Sequence, residues 1–393
     1  MKKNLLIIYP FKFRNYDYER FEFNYLKKNF NIYIFDLIGV IYPHFIKAYK
    51  KENKIKNLYK INSLGEFKLS FLGLLNKKKK EKTFILNFNK SINLKSFIIN
   101  TIINKTSIKK FGFYNPGNYF WSVNTLNFKQ KFFFKFKQYF FDHKKNWWAI
   151  KEKVFFFLDK IYNDKVEHTF IAGNKFGHKN ENSTYINSWD YSRLLCKKKT
   201  NKRLNHKIIT FLDSPGPKFK SDSYLLKKKN DETSSNTYPA LINLFNQLEE
   251  IFGLDVIIAA HPKTKHKKRP DYFGKRIVYS DKTLELIQSS KFVITRNSSS
   301  ITYALNEDIP IIFIYTDEIL KNKNSNYYNI LGLANELGTK AINININYSE
   351  QYLRNLLKVK SKLNHKFKMN YFSNLKKPVP NHRIIYKTLL KEL

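Results

Sequence analysis

The stretch 254–315 constrains the fold more than any other part of this chain. It carries the apolar runs VIIAA, FVIT and PIIFIY, each too short for a helix, separated by segments with helical periodicity. Strands are expected at 255–260, 276–279, 292–295 and 310–315, with helices at 282–289 and 299–306. Near-continuous Val/Ile runs that alternate with helices indicate a parallel sheet covered on both faces. Two of the runs end in polar residues: VIIAA in His261, Pro262 and Lys263, and KFVIT in Arg296, Asn297, Ser298, Ser299 and Ser300. Ligands of open parallel sheets sit beyond the carboxyl ends of strands, so these two ends mark the presumptive site.

The same rhythm opens the chain. Strands are expected at 4–9, 31–37, 83–88 and 108–114, with helices at 18–29 and 96–105. Further strands at 167–172 and from 184 lead to Ser188, Trp189, Asp190 and Tyr191. A lysine-rich segment at 197–207 then marks a crossing between domains. A second domain begins with the strand 207–212, followed by a helix at 237–252 that places Leu241, Leu244, Phe245 and Leu248 on one face and stops at Gly253. The region 347–393 reads as a mostly helical, basic tail. At 393 residues the chain exceeds one ordinary core. The expected class is therefore α/β, with two Rossmann-like domains at 1–195 and 205–393 and a C-terminal helical tail.

With 72 basic and 31 acidic side chains, the net charge of +41 favours anionic partners: nucleotide phosphates, anionic lipid head groups or nucleic acid. The segment 127–162 interleaves aromatics with lysines. It reads as amphipathic helix packed on the first domain, or as an interfacial segment with Phe and Trp in lipid and Lys at the head groups. Stacking on single-stranded nucleic acid is a third reading, but no RNA-binding signature accompanies it. The single cysteine, Cys196, excludes a disulfide framework and a cysteine-based zinc site, and suits a cytoplasmic setting. No run of apolar residues is long enough for a transmembrane helix, and the first apolar residues read as a strand rather than a signal peptide.

The two strand ends carry the chemistry. Pro262 directs His261 into an extended conformation, from which its imidazole can donate to a phosphate oxygen or protonate a phosphate leaving group. One serine suffices to cap a helix; three consecutive serines after Arg296 and Asn297 suggest an anion cradle of hydroxyls and N–H groups. Lys263 is the expected phosphate partner within the basic loop, and Thr283 or Glu285 faces a nucleotide ribose or base. GxGxxG, Walker A, HExxH, GxSxG and a post-strand Asp-x-Asp pair are all missing, so a metal-free site without a cofactor is expected.

The runs FLDSPGP, TYPALINLFNQLEEIFGLDV, IIAAHPK, RPDYFGKR, KTLELIQSSKFVITRNSSSITYAL and PIIFIYTDE resemble bacterial surface-carbohydrate (capsule or lipopolysaccharide) biosynthesis proteins. These are similar to GT-B glycosyltransferases that use CMP-activated acidic sugars, such as sialyltransferases and Kdo-transferases. The resemblance covers roughly 208–318, with a weaker echo at 187–191. It implies two Rossmann-like domains facing a cleft, with the nucleotide-sugar donor on the second domain. A lipid-linked or oligosaccharide acceptor and a peripheral contact with an anionic inner membrane are the further partners expected, since both fit the positive surface. His261 would assist departure of the CMP phosphate, which Ser298 and Ser299 would bind with Ser300 beside them. The acceptor-activating base would be a first-domain carboxylate, with Asp190 preferred to Asp17 and Glu19. Asp213 also follows a strand, but its neighbouring prolines suggest a structural turn. The alternative of another class is a non-catalytic membrane-surface or polysaccharide-binding protein that retains the fold.

Overall fold

The computed structural model describes residues 2–44, 55–78, 82–114, 128, 132, 143–162, 167–175, 181–196, 207–213, 216–217, 232–261, 272–280, 282–322 and 325–391. The chain forms two compact units, the first drawn from 1–116, 138–196 and 373–393, the second from 117–137 and 197–372. Each is built on one parallel sheet, as expected for two Rossmann-like domains.

The first sheet contains β1 (Lys3–Tyr9), β2 (Phe30–Asp36), β3 (Leu58–Lys60), β4 (Thr83–Asn87), β5 (Lys110–Tyr114), β6 (His168–Ala172) and β7 (Ser183–Ile186). Their order is β3-β2-β1-β4-β5-β6-β7. The second sheet contains β8 (Ile208–Leu212), β9 (Asp255–Ala259), β10 (Val278–Tyr279), β11 (Ser290–Thr295), β12 (Ile311–Tyr315) and β13 (Ala341–Asn343), in the order β10-β9-β8-β11-β12-β13. Counted within its own unit, the second sheet runs 3-2-1-4-5-6, the Rossmann order, and the first adds a seventh strand to it.

In the first unit, Leu5, Leu6, Ile7 and Ile8 of β1 are fully buried. The helix expected at 18–29 is two short ones, Asn15–Arg20 and Phe23–Leu26. Glu22 breaks it with φ +59°, a left-handed conformation that costs a non-glycine residue on the order of 1 kcal/mol. Tertiary contacts hold it there. The buried Glu22 carboxylate accepts from the Ser192 hydroxyl and, at 2.8 Å, from the His382 backbone N–H, while His382 Nδ1 lies 2.6 Å away.

His382 lies on the helix Asn381–Lys391, which belongs to the first unit. The boundary expected from sequence, with the second domain running to 393, is corrected here. Ile385 and Leu389 of that helix are buried in the first unit's core, each worth about 2 kcal/mol of apolar burial. Asn187 and Asn381 complete the attachment: Asn187 N donates to Asn381 Oδ1 and Asn381 Nδ2 to the Asn187 carbonyl, both at 2.9 Å.

Within the aromatic segment, His143–Tyr162 is one helix, and 127–142 lies outside the described residues except for Phe128 and Phe132. One face of this helix meets the helix Leu94–Asn104, where Phe155 and Phe97 have ring centroids 6.3 Å apart and Asn100 Nδ2 donates to Asp159 at 3.3 Å.

In the second unit, the helix Ser234–Phe252 buries Leu241, Leu244, Phe245 and Leu248 as its periodicity predicts. Gly253 ends it at φ +62°; a Cβ there would meet nothing within 4 Å, so glycine is needed for the backbone angle and not for space. The helices Asp317–Asn322 and Ser325–Glu336 and the strand β13 extend the unit beyond what the sequence pattern gave away.

Candidate functional site

The order of the second sheet reverses at β8, whose neighbours are β9 and β11. Ligands of such sheets bind outside the carboxyl ends at this reversal. The register pairs Leu212 with Ala259 and Phe211 with Ile294, so the residues that follow, Asp213, Ala260 and Arg296, emerge from adjacent strands at a common level. Asp213 N donates to the Ala259 carbonyl at 3.0 Å. His261 projects one residue further from β9, half-buried. The β9 and β11 ends are two strand spacings apart, roughly 10 Å. The structure thus brings His261 and the serines to the same edge of one sheet, flanking β8. Pro262 and Lys263 lie outside the described residues.

The serines form a hydrogen-bonded turn. Ser298 N donates to Thr295 Oγ1 at 3.4 Å, and Ser300 N to Ser298 Oγ at 3.2 Å. The carbonyls of Ser298, Ser299 and Ser300 accept from Ile301, Thr302 and Tyr303 at 3.3, 3.2 and 3.0 Å. The helix that follows is Ile301–Asn306, two residues shorter than expected, and Ser300 makes no side-chain capping bond. Satisfying the N–H groups at the helix start therefore accounts for the Ser298 hydroxyl but not for that of Ser300. So short a helix contributes little dipole, and the N–H groups of Ser298 and Ser300 donate within the turn, which leaves serine hydroxyls as the donors an anion would meet. All three serines are half-buried.

Arg296 has a protein partner that its sequence context did not reveal. It is buried, and its guanidinium donates to Glu232 Oε1 at 3.0 Å. The same oxygen accepts from Thr316 Oγ1 at 3.1 Å and Thr237 Oγ1 at 3.5 Å. One buried carboxylate thereby ties the ends of β11 and β12 to the start of the long helix. Asn297 donates to Asn326 Oδ1 at 3.1 Å, and Thr283 opens the helix Thr283–Gln288 half-buried.

Sequence reasoning missed Glu232 and Thr316. The available signal was a third apolar strand, β12, ending in polar Thr316, Asp317 and Glu318. These residues border a cleft of about 540 Å³ that also includes Ser235, Asn236 and Asn345. Glu318 caps the long helix there, accepting from Thr233 N at 2.7 Å and Asn236 Nδ2 at 2.9 Å. Burial pushes the nearby Tyr315 phenol above its usual range.

The first-unit carboxylates that the sequence offered as a base, Asp190, Asp17 and Glu19, each have a basic partner. Asp190 is buried and accepts from Arg20 at 3.1 Å. Asp17 is held by Arg14 at 2.9 Å, and exposed Glu19 lies 3.7 Å from Arg193. Asp36, at the carboxyl end of β2, has its pKa pushed up to about 6 by burial, partly offset by N–H donors from Phe13 at 2.9 Å and Ile38 at 3.1 Å. A carboxyl in that range suits proton transfer, yet one oxygen is occupied in holding Phe13 of the loop after β1 and the other in holding Ile38 of the turn after β2.

No protein-family model matches the sequence, and no curated protein matches it. Among solved structures, the chain is similar to UDP-GlcNAc 2-epimerase from Methanocaldococcus jannaschii, with 11% identity and a TM-score of 0.49 over 98% of this chain and 99% of that one. It is similar to Acinetobacter baumannii MurG at 9% identity and a TM-score of 0.46, with 100% of both chains covered. The calicheamicin glycosyltransferase CalG4 aligns at 8% identity and a TM-score of 0.45, over 93% of this chain and 92% of that one.

Proposed function

We propose that the chain is a glycosyltransferase that takes a sugar from a nucleotide-activated donor and adds it to a lipid-linked or oligosaccharide acceptor of a surface glycan. One observation carries this reading: His261 and the Ser298, Ser299 and Ser300 turn stand at the carboxyl ends of β9 and β11, on either side of β8 where the strand order reverses. That position suits a nucleotide phosphate.

In the proposed reaction an acceptor hydroxyl oxygen bonds to the sugar's anomeric carbon and gives up its proton to solvent, as the bond between that carbon and the phosphate oxygen breaks. The electron pair leaves with the phosphate. Serine hydroxyls stabilise that growing negative charge, and His261 supplies a proton to the departing oxygen. No step requires a metal. The resemblance read from sequence favours a CMP-linked acidic sugar, whereas the archaeal structure above is named for a UDP-sugar. Calorimetric titration with CMP and UDP, side by side, separates the two. Micromolar binding of one nucleotide is expected. His261→Ala and Ser299→Ala should each weaken it about tenfold, since each removes one hydrogen bond to a charged group. If neither nucleotide binds, or if binding ignores both substitutions, the proposal fails.

A further inference from the structure

The helix His143–Tyr162 has a face that the first unit does not use. Phe155 and Asp159 face the helix Leu94–Asn104. On the opposite side, Ile150, Val154, Phe157 and Ile161 recur at helical spacing within roughly 60° of arc. They are 50, 49, 62 and 58% exposed. The four form an apolar stripe about 17 Å long.

The charges around the stripe identify what it fits. The helix carries five lysines against two acids, Glu152 and Asp159. At 100° per residue, Lys153 borders the stripe while Asp159 falls on the far side. An apolar stripe bordered by Lys153, on a helix with a surplus of lysines and with Asp159 turned away, matches an anionic bilayer surface: hydrocarbon takes the stripe and phosphate head groups take the ammonium groups. A second copy would bring like charges together in a chain of net charge +41. Spanning is not the mode, because no described helix is long and apolar enough to cross a membrane.

We infer that this helix is a docking surface for anionic lipid, lying in the head-group plane with Ile150, Val154, Phe157 and Ile161 inserted. The inference does not depend on the transferase reading, since it concerns adsorption and not turnover. The test is co-sedimentation of the full chain with extruded vesicles of phosphatidylcholine, with and without about one-third phosphatidylglycerol. Binding should be at least about tenfold tighter to the anionic vesicles, since each lysine at the surface contributes about fivefold. The double variant Phe157→Asp, Ile161→Asp should lose more than about tenfold of that affinity. A parallel double variant, Phe157→Ser with Ile161→Ser, removes apolar area without adding charge and should lose affinity in the same direction. Both sites are exposed, so thermal unfolding should match the parent. Equal binding to neutral vesicles overturns the inference. So does binding that survives both double variants, which would trace it to diffuse charge. A wild-type dimer that ignores vesicles and becomes monomeric in the variants overturns it in favour of a second copy.

Discussion

Substituting Glu232 tests how the second unit holds its candidate site. Arg296 and Glu232 have side chains only 5% and 8% exposed and are joined at 3.0 Å. Arg296 Nε is buried with no hydrogen-bond partner, so the guanidinium has little to fall back on when the carboxylate is removed. Glu232→Ala strands that charge and also removes the acceptor for Thr316 Oγ1 and Thr237 Oγ1. Stranding one member of a buried pair costs about 3–5 kcal/mol. Removing both, in Glu232→Ala with Arg296→Met, withdraws both charges and should recover about half of that loss. Urea denaturation of the full chain, read by hydrogen exchange in peptides from β11 and the long helix, localises the effect to this unit. A single-variant loss below about 1 kcal/mol would refute the reasoning, and so would a double variant whose cost equals the sum of its parts. If Arg296 served chiefly to hold the donor phosphate, Arg296→Lys would weaken nucleotide binding with local protection intact. The geometry predicts that protection falls first.

Asp36 supplies a pH test. Its folded pKa of about 6 lies above the ordinary 3.8, so the fold favours the protonated acid. Its contribution is whole below about pH 3.8 and is lost as pH rises through 6, amounting to about 3 kcal/mol. The stability of wild type minus Asp36→Asn should therefore decline across that window in denaturation series; a flat difference contradicts the burial argument. Asp190→Asn should lower the stability of the first unit by about 3 kcal/mol through loss of the Arg20 partner, with donor affinity unchanged in calorimetry. Destabilisation under 1 kcal/mol would argue against an ion pair of structural weight. His382→Ala removes one of the two side-chain partners given above for buried Glu22 and should speed exchange in 381–391 by one to two orders of magnitude, about 1.4–2.8 kcal/mol. Unaltered exchange would show that Ser192 and the backbone N–H suffice.

Both sheets were legible in the sequence because parallel strands buried on both faces must be apolar nearly throughout, as in β1 and β11. Edge strands escape that rule. β3 and β13 are three residues each, and no strand was expected at either. The break at Glu22 had no local signal, since its left-handed backbone is held by Ser192 and His382, 170 and 360 positions away. The site divides in the same way. His261 and the serine run could be found because each directly follows its own strand. The partner of Arg296 could not, because Glu232 lies 64 positions earlier in a polar segment without periodicity.

The helix Asn381–Lys391 sets an order of assembly. Every strand of the second sheet lies between Ile208 and Asn343, so that sheet has all its strands before the last stretch leaves the ribosome. The first unit, although begun earlier, waits for Ile385 and Leu389 to close its core. During synthesis the early unit is therefore the exposed one, with an apolar seat open while the later unit folds. A fragment that stops at residue 196 would keep that seat open permanently.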